Sequence, residues 1–275
     1  MDYVKVAFQF NPREPYAEIA VSELSDLGYE SFVDTEEGVE AFIQERIFDE
    51  AALHFINDWE DVEVSFHSEK IPFTNWNAKW EEDFKPVIVR KDCIVRAPFH
   101  HLEEEYTYDI IIQPQMSFGT GHHATTSLMI QFLLDEDLQG KRVLDLGSGT
   151  GVLAILAEKR GARDILATDI EDYIVDNAKE NIALNQCVEI AVKKADVAND
   201  RYEDYDLILA NINLNVLIQS METISSAGRK GSKIMMSGFY DDDIPKLQET
   251  AAKCGLVLEE VRKQERWAAV LLIKE

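Results

Sequence analysis

Residues Val143, Leu144, Asp145, Leu146, Gly147, Ser148, Gly149, Thr150 and Gly151 read as an apolar strand that runs into a glycine-rich turn and straight on into an amphipathic helix. At the carboxyl end of a strand in a doubly wound sheet, glycines let the backbone turn tightly and let a ligand come closer than a side chain permits. Asp169 lies 22 residues after Gly147 and closes the next apolar strand. A carboxylate there accepts hydrogen bonds from both hydroxyls of an adenosine ribose. The pair is more specific than either part alone. In a dinucleotide-binding fingerprint the last two glycines are separated by two residues, whereas Gly147, Gly149 and Gly151 alternate.

Two further groups fall at the same carboxyl edge. Asp196, after the third strand, is placed to bond an adenine amino group, with Ile170 and Val197 on either side of the ring; the alternative is an ordinary turn or cap residue. The fourth strand runs into Asn211, Ile212 and Asn213. Neutral carbonyl acceptors suit an amine nucleophile, because they hold its hydrogens and aim its lone pair. A carboxylate would favour the protonated amine, which cannot attack. The alternative reading is an asparagine-rich turn.

The elements that must position these groups fall into two blocks. Over residues 1–70 the order is strand, helix, two strands, helix, strand. Val4, Val6, Phe8 and Phe10 alternate. Ile19, Ala20, Leu24 and Leu27 recur at helical spacing before Gly28, and a second helix carries Ile47, Ala51, Leu53, Phe55 and Ile56. That is the order of a ferredoxin-like α+β unit. Residues 71–85 are expected as a linker and a connecting helix, with Trp76, Trp80 and Phe84 as an apolar stripe ending before Pro86. Two or more strands follow, over 87–95 and 106–112. From about residue 126 helices and strands alternate, which implies a mostly parallel sheet covered on both faces. The last two strands, over 256–261 and 268–273, form an antiparallel edge. The second domain is therefore 86–275, α/β and doubly wound.

Charge bears on the partner. The chain has 275 residues, with 52 acidic against 27 basic side chains and a net charge of −25. Four basic against 18 acidic residues leave −14 on residues 1–70 alone. Such a field repels phosphate backbones and attracts cations, so direct nucleic-acid binding is not expected; generic solubility is the plainer explanation. Cys93, Cys187 and Cys254 lie far apart and read as small apolar residues in a cytoplasmic protein. No membrane or targeting segment is visible. No metal site is expected: His122 and His123, or these with His100 and His101, lack a completing acid or cysteine at ligand spacing.

Upstream of the glycine turn, Phe118, Gly119, Thr120, Gly121, His122, His123, Ala124, Thr125 and Thr126 form a glycine-rich entry to a helix, with Thr125 or Thr126 as the capping hydroxyl. The alternating glycines after Asp145 resemble those of Rossmann-like class I methyltransferases. Together with Asp169, Asn211 and the Phe-Gly-Thr-Gly-x-His-x-Thr-Thr string, the chain resembles the bacterial methyltransferases of large-subunit ribosomal protein eleven over most of its length. Ala124 and Gln115 depart from that family's usual proline and glycine.

The resemblance implies S-adenosylmethionine as cofactor. It places cofactor contacts at Thr126, Gly147, Asp169 and Asn211, within a wider set of Phe118, Gly119, Thr120, Gly149 and Asp196. Asn211 is the catalytic candidate. It also implies an acidic substrate-recognition domain over 1–70. The partner would be the basic ribosomal protein, free or before ribosome assembly, methylated on its α-amino group and on lysine ε-amino groups, each up to the trimethyl level. A monomer is expected, since no coiled-coil seam is left over. Reorientation about 71–76 would let one partner present several amines. Two rivals are a class I enzyme acting on a nucleic-acid amino group, disfavoured by the charge and by the lack of an aromatic platform after Asn211, and a non-catalytic ribosome-assembly factor.

Overall fold

A computed structural model describes residues 2–71, 84–115, 119, 121 and 123–275, with the side chains of Asn57 and Asp58 excepted. The chain divides into two compact units, Met1–Asp83 and Phe84–Glu275.

The first unit comprises β1 (Tyr3–Asn11), α1 (Tyr16–Asp26), β2 (Ser31–Asp34), β3 (Gly38–Gln44) and β4 (Glu63–Ile71), with 3-10 turns at Glu45–Ile47 and Glu50–Asp58. The strands form one antiparallel sheet in the order β2-β3-β1-β4, the ferredoxin-like arrangement. Strand alternation puts Val4, Val6, Phe8 and Phe10 on the face that meets Ala17, Ala20 and Leu24 of α1. Gly28 ends that helix at φ +91°, as expected.

Two expectations need correction, and a third lies mainly outside the described residues. Ile19 and Leu27 are exposed, because the buried stripe of α1 runs instead through Ala17, Ala20 and Leu24. The second helix is 3-10: its buried residues, Leu53 and Ile56, stand three apart, and Ile47 is 49% exposed and belongs to no buried face. The helix expected over 75–85 falls mainly outside the described residues. Phe84 is described, is not helical, and sets its ring against Phe99 and His100.

The second unit opens with a separate three-stranded sheet, β5 (Val87–Val89), β6 (Cys93–Arg96) and β7 (Tyr108–Ile111), in that order. The large sheet contains β8 (Arg142–Leu146), β9 (Arg163–Asp169), β10 (Ile190–Lys194), β11 (Tyr205–Asn211), β12 (Gly228–Tyr240), β13 (Leu256–Gln264) and β14 (Trp267–Lys274). Its order is β10-β9-β8-β11-β12-β14-β13. β8 to β12 are parallel, and β14 is antiparallel to both of its neighbours. The last strand thus inserts between β12 and β13 and is not itself the edge.

Both faces of the sheet are buried. Val143, Leu207 and Leu209 face one core, under α2 (Ala124–Asp135) and α3 (Val152–Lys159). Leu144, Leu146, Ile208 and Ala210 face the other, under α5 (Leu214–Gln219), α6 (Met221–Ala227) and α7 (Ile244–Lys253). The sequence reading did not single out α5, α6 or α7. The remaining helix, α4 (Asp172–Leu184), packs on β9 and β10.

β10 begins only at Ile190, because the N–H groups of Val188 and Glu189 donate to the Glu158 carboxylate instead of to a strand; Val188 is 83% exposed. Cys93 is buried, and burial pushes its thiol up to about 12. No helix among the described residues is long and apolar enough to cross a membrane.

Candidate active site

The sheet order turns back on itself between β8 and β11, so the loops after these two strands diverge and leave a crevice at their carboxyl ends. A cavity of about 600 Å³ opens there. Leu146 leads into Gly147 at φ +67°, followed by Gly149 at +55° and Gly151 at +80°, the last standing at the N-cap of α3. A Cβ at Gly147 would lie 2.3 Å from Ile212 Cγ2, so only glycine fits where the turn passes the segment after β11.

Asp169 ends β9 against this turn. Its Oδ2 accepts from Gly149 N at 3.0 Å and its Oδ1 from Ile170 N at 2.8 Å. These bonds, with a longer one from Glu171 N to Oδ1 at 3.5 Å, fix the carboxylate on the cavity wall while leaving a lone pair on Oδ2 for a ligand. Ile170 and Val197 both line the same end of the cavity. Asp196 lines it too, but its carboxylate is engaged in its own turn: Oδ1 accepts from Ala198 N at 3.0 Å and Oδ2 from Asn199 Nδ2 at 2.6 Å. That geometry matches the turn reading of this residue.

At the other end Asn211 closes β11. Its Nδ2 donates to Thr126 Oγ1 at 3.4 Å, and its Oδ1 is buried with no partner among the described residues. Thr126 is fully buried and touches the cavity through Asn211, whereas Thr125 lines it directly. Neither threonine caps α2. His123 does, its Nδ1 accepting from Thr125 N at 3.4 Å and lying 2.7 Å from Thr125 Oγ1. The capping expectation is corrected accordingly: histidine shares with threonine an acceptor within reach of the first turn.

Gly119 is tied to the glycine turn through Thr150 Oγ1, which donates to its carbonyl at 2.8 Å. Phe118, Thr120 and His122 lie outside the described residues. His100 bonds locally, with Nδ1 accepting from Ala97 N and Nε2 paired with the Phe84 carbonyl.

Several residues of this wall escaped sequence reasoning, and three of them are informative. Trp267, the first residue of β14, comes in from the C-terminal hairpin and lies with ring centroids 4.4 Å from His123, edge to face, and 4.4 Å from Tyr240. An aromatic group thus does border the site, contrary to the expectation drawn from the neighbours of Asn211 in sequence; it arrives from 56 residues further along the chain. Tyr173, near the start of α4, is another. Gly238, at φ +97°, lies where a Cβ would meet the Ile212 carbonyl oxygen at 2.2 Å. An isolated glycine inside a strand signals a close backbone approach, and the β12 register does shift between Ser237 and Phe239. That signal could have found it.

The chemistry of the cavity follows from this inventory. Among the described residues, the titratable side chains on its wall besides His123 are the acids Asp169 and Asp196 and the phenol of Tyr173, a setting that favours a cationic ligand. The glycine-lined approach and the Asp169 carboxylate suit a nucleoside. The unpaired Asn211 carbonyl offers an acceptor at the far end.

Comparison with known proteins gives the same picture. The family model described as ribosomal protein L11 methyltransferase (PrmA) matches residues 12–275. A ribosomal protein L11 methyltransferase of Phocaeicola vulgatus is 41% identical over 99% of this chain and 99% of its own. One from Porphyromonas gingivalis is 41% identical over 98% and 97%. The crystal structure of a ribosomal protein L11 methylase from Lactobacillus delbrueckii subsp. bulgaricus superposes with a TM-score of 0.65 at 27% identity, covering 70% of this chain and all of that one. S-adenosylmethionine is the methyl donor of such enzymes, and the glycine turn, Asp169 and the unpaired Asn211 oxygen fit it. Fold, cavity and full-length similarity agree: the chain belongs to the ribosomal protein L11 methyltransferase (PrmA) family.

Proposed function

We propose that this protein transfers methyl groups from S-adenosylmethionine to the N-terminal α-amino group and lysine ε-amino groups of ribosomal protein L11. The observation that carries the reading is the Oδ1 of Asn211, buried and without a partner among the described residues, at the end of an acid-walled cavity. Bound there, the cofactor supplies an electrophilic methyl group on a sulfonium. Gly147, Gly149 and Asp169 hold the nucleoside, with Ile170 and Val197 beside the adenine; the family resemblance adds Phe118, Gly119 and Thr120 as further cofactor contacts. Asp196 shapes the adenine end by holding its turn.

Asn211 Oδ1 accepts an amine hydrogen, and Thr126, by holding the amide nitrogen of Asn211, fixes which way that oxygen faces. An α-amine with a pKa of about 8 is partly neutral at pH 7. A lysine near 10.4 must give up its proton at a cost of roughly 4.6 kcal/mol. Desolvation beside a positive charge lowers that cost in the required direction, so orientation without a dedicated base suffices. The acidic first unit holds the basic partner, in the cytoplasm and before the partner enters the ribosome, and the enzyme works as a monomer.

Replacing Asn211 by Ala tests the assignment. Turnover should fall on the order of a hundredfold while cofactor affinity changes only a few-fold. Unchanged turnover would remove Asn211 from the chemistry.

A further inference from the structure

Asp145 plays no part in the mechanism above, yet it is the most deeply buried carboxyl among the described residues. It stands two residues before Gly147, on the β8 face it shares with Val143, and is 1% exposed. Its Oδ2 accepts one hydrogen bond, from Ala154 N in the first turn of α3 at 3.2 Å; its Oδ1 has no partner among the described residues. A carboxylate stripped of water and given one long bond lacks most of the acceptor contacts that stabilise its charge.

The neighbours do little to offset this. Asp145 is paired with Ala167 on β9 and with Leu209 on β11, and α3 presents only the Ala154 N–H. Among the described residues the one titratable side chain that acts on it is Asp169, a second acid, at the end of β9. The N-terminus of α3 pulls towards the ionised form, but burial outweighs it, and the carboxyl is pushed up to about 7. Among the described residues no cation acts on Asp145 to offset this. A ligand carrying both a sulfonium and an ammonium group would bring two.

We propose that Asp145 holds a proton in the ligand-free protein and releases it to solvent when the cationic cofactor enters the neighbouring cavity, so that cofactor uptake and loss of one proton are a single linked event. The inference rests on reading the cavity as a site for S-adenosylmethionine. Asp145 is thereby a positioning residue for charge: neutral while the site is empty, and a buried counter-charge when it is filled. By linkage, affinity should rise with pH, by about tenfold between pH 6 and pH 8.

Titration calorimetry with S-adenosylmethionine at pH 6, in buffers of different ionisation enthalpy, counts the protons. The cofactor's own amine remains protonated there, with a pKa near 8. Close to one proton should leave per cofactor bound, and Asp145→Asn should bind with none released. Binding heat without proton release in the unmodified protein, or the same release from the variant, overturns the proposal. Absence of any binding heat overturns the methyltransferase reading instead. Should the variant fail to fold, infrared difference spectra of the unmodified protein decide the matter. Loss of a protonated-carboxyl band on binding supports the inference, and a spectrum without that loss contradicts it.

Discussion

The two units solve the same packing problem in different ways. In the first, every buried side chain among the described residues is apolar, or is Tyr29, and the charge lies on the outside. All thirteen buried polar or charged residues among the described residues fall in the second unit, between Thr125 and Ser237, and several cluster about the carboxyl ends of β8, β9 and β11. Burying a polar group costs stability unless it is paired. The second unit therefore accepts a destabilised interior about the cavity, and the first keeps an apolar core with its charge at the surface. On the reading proposed above, chemistry belongs to one and attraction of the partner to the other.

The largest expected effect follows from breaking the interior of the second unit at its tightest point. Gly147→Ala forces a Cβ into Ile212 at a positive φ, and strain plus overpacking together cost roughly 4 kcal/mol. Cofactor binding measured by calorimetry should weaken about a thousandfold. Near-normal affinity would mean that the turn does not approach the ligand.

Next comes the cost of the buried acid. Asp145 has a folded value of about 7 against 3.8 unfolded, so the folded state holds the extra proton. Its contribution to stability is fully present below about pH 4 and declines as pH rises, levelling off above about 7. Asp145→Asn should remove that decline, worth about 3 kcal/mol, when denaturation curves at pH 5 and pH 8 are compared. Parallel pH dependence in the two proteins would show the carboxyl to be ionised throughout.

A smaller effect sharpens the contrast from the other side. Converting the exposed acids Glu18, Glu23 and Asp26 of α1 to Lys should raise KM for intact L11 about tenfold, with kcat unchanged and the effect fading at high salt. A fall in kcat would mean that the first unit reaches into the chemistry. The smallest change is expected for Asp196→Ala. Because both carboxylate oxygens serve their own turn, cofactor affinity should fall no more than about threefold. A large loss would restore direct contact with adenine.

Much of this was legible in the chain, for identifiable reasons. A period of two in Val4 to Phe10 and the apolar runs before Gly147, Asp169 and Asn211 report local burial, and these strands formed where expected. Strand ends also placed the chemistry, since in this fold the carboxyl ends converge. What the sequence hid depends on contacts between distant segments. Trp267 reaches the cavity only because β14 inserts beside β12, and His123 caps α2 in a way no threonine-based rule anticipates. The 3-10 geometry of Glu50–Asp58 turns on which residues its sheet buries, which local spacing leaves open.

The account's central claim is that the Asn211 end of the cavity directs methyl groups onto amines of L11. Mass spectrometry of purified L11 after incubation with the enzyme and S-adenosylmethionine tests it most directly. The account predicts whole methyl increments confined to the N-terminal amine and lysine side chains, and none with Asn211→Ala in the same time. Increments on other side chains, or unmodified L11 beside an enzyme that demonstrably binds the cofactor, would contradict it.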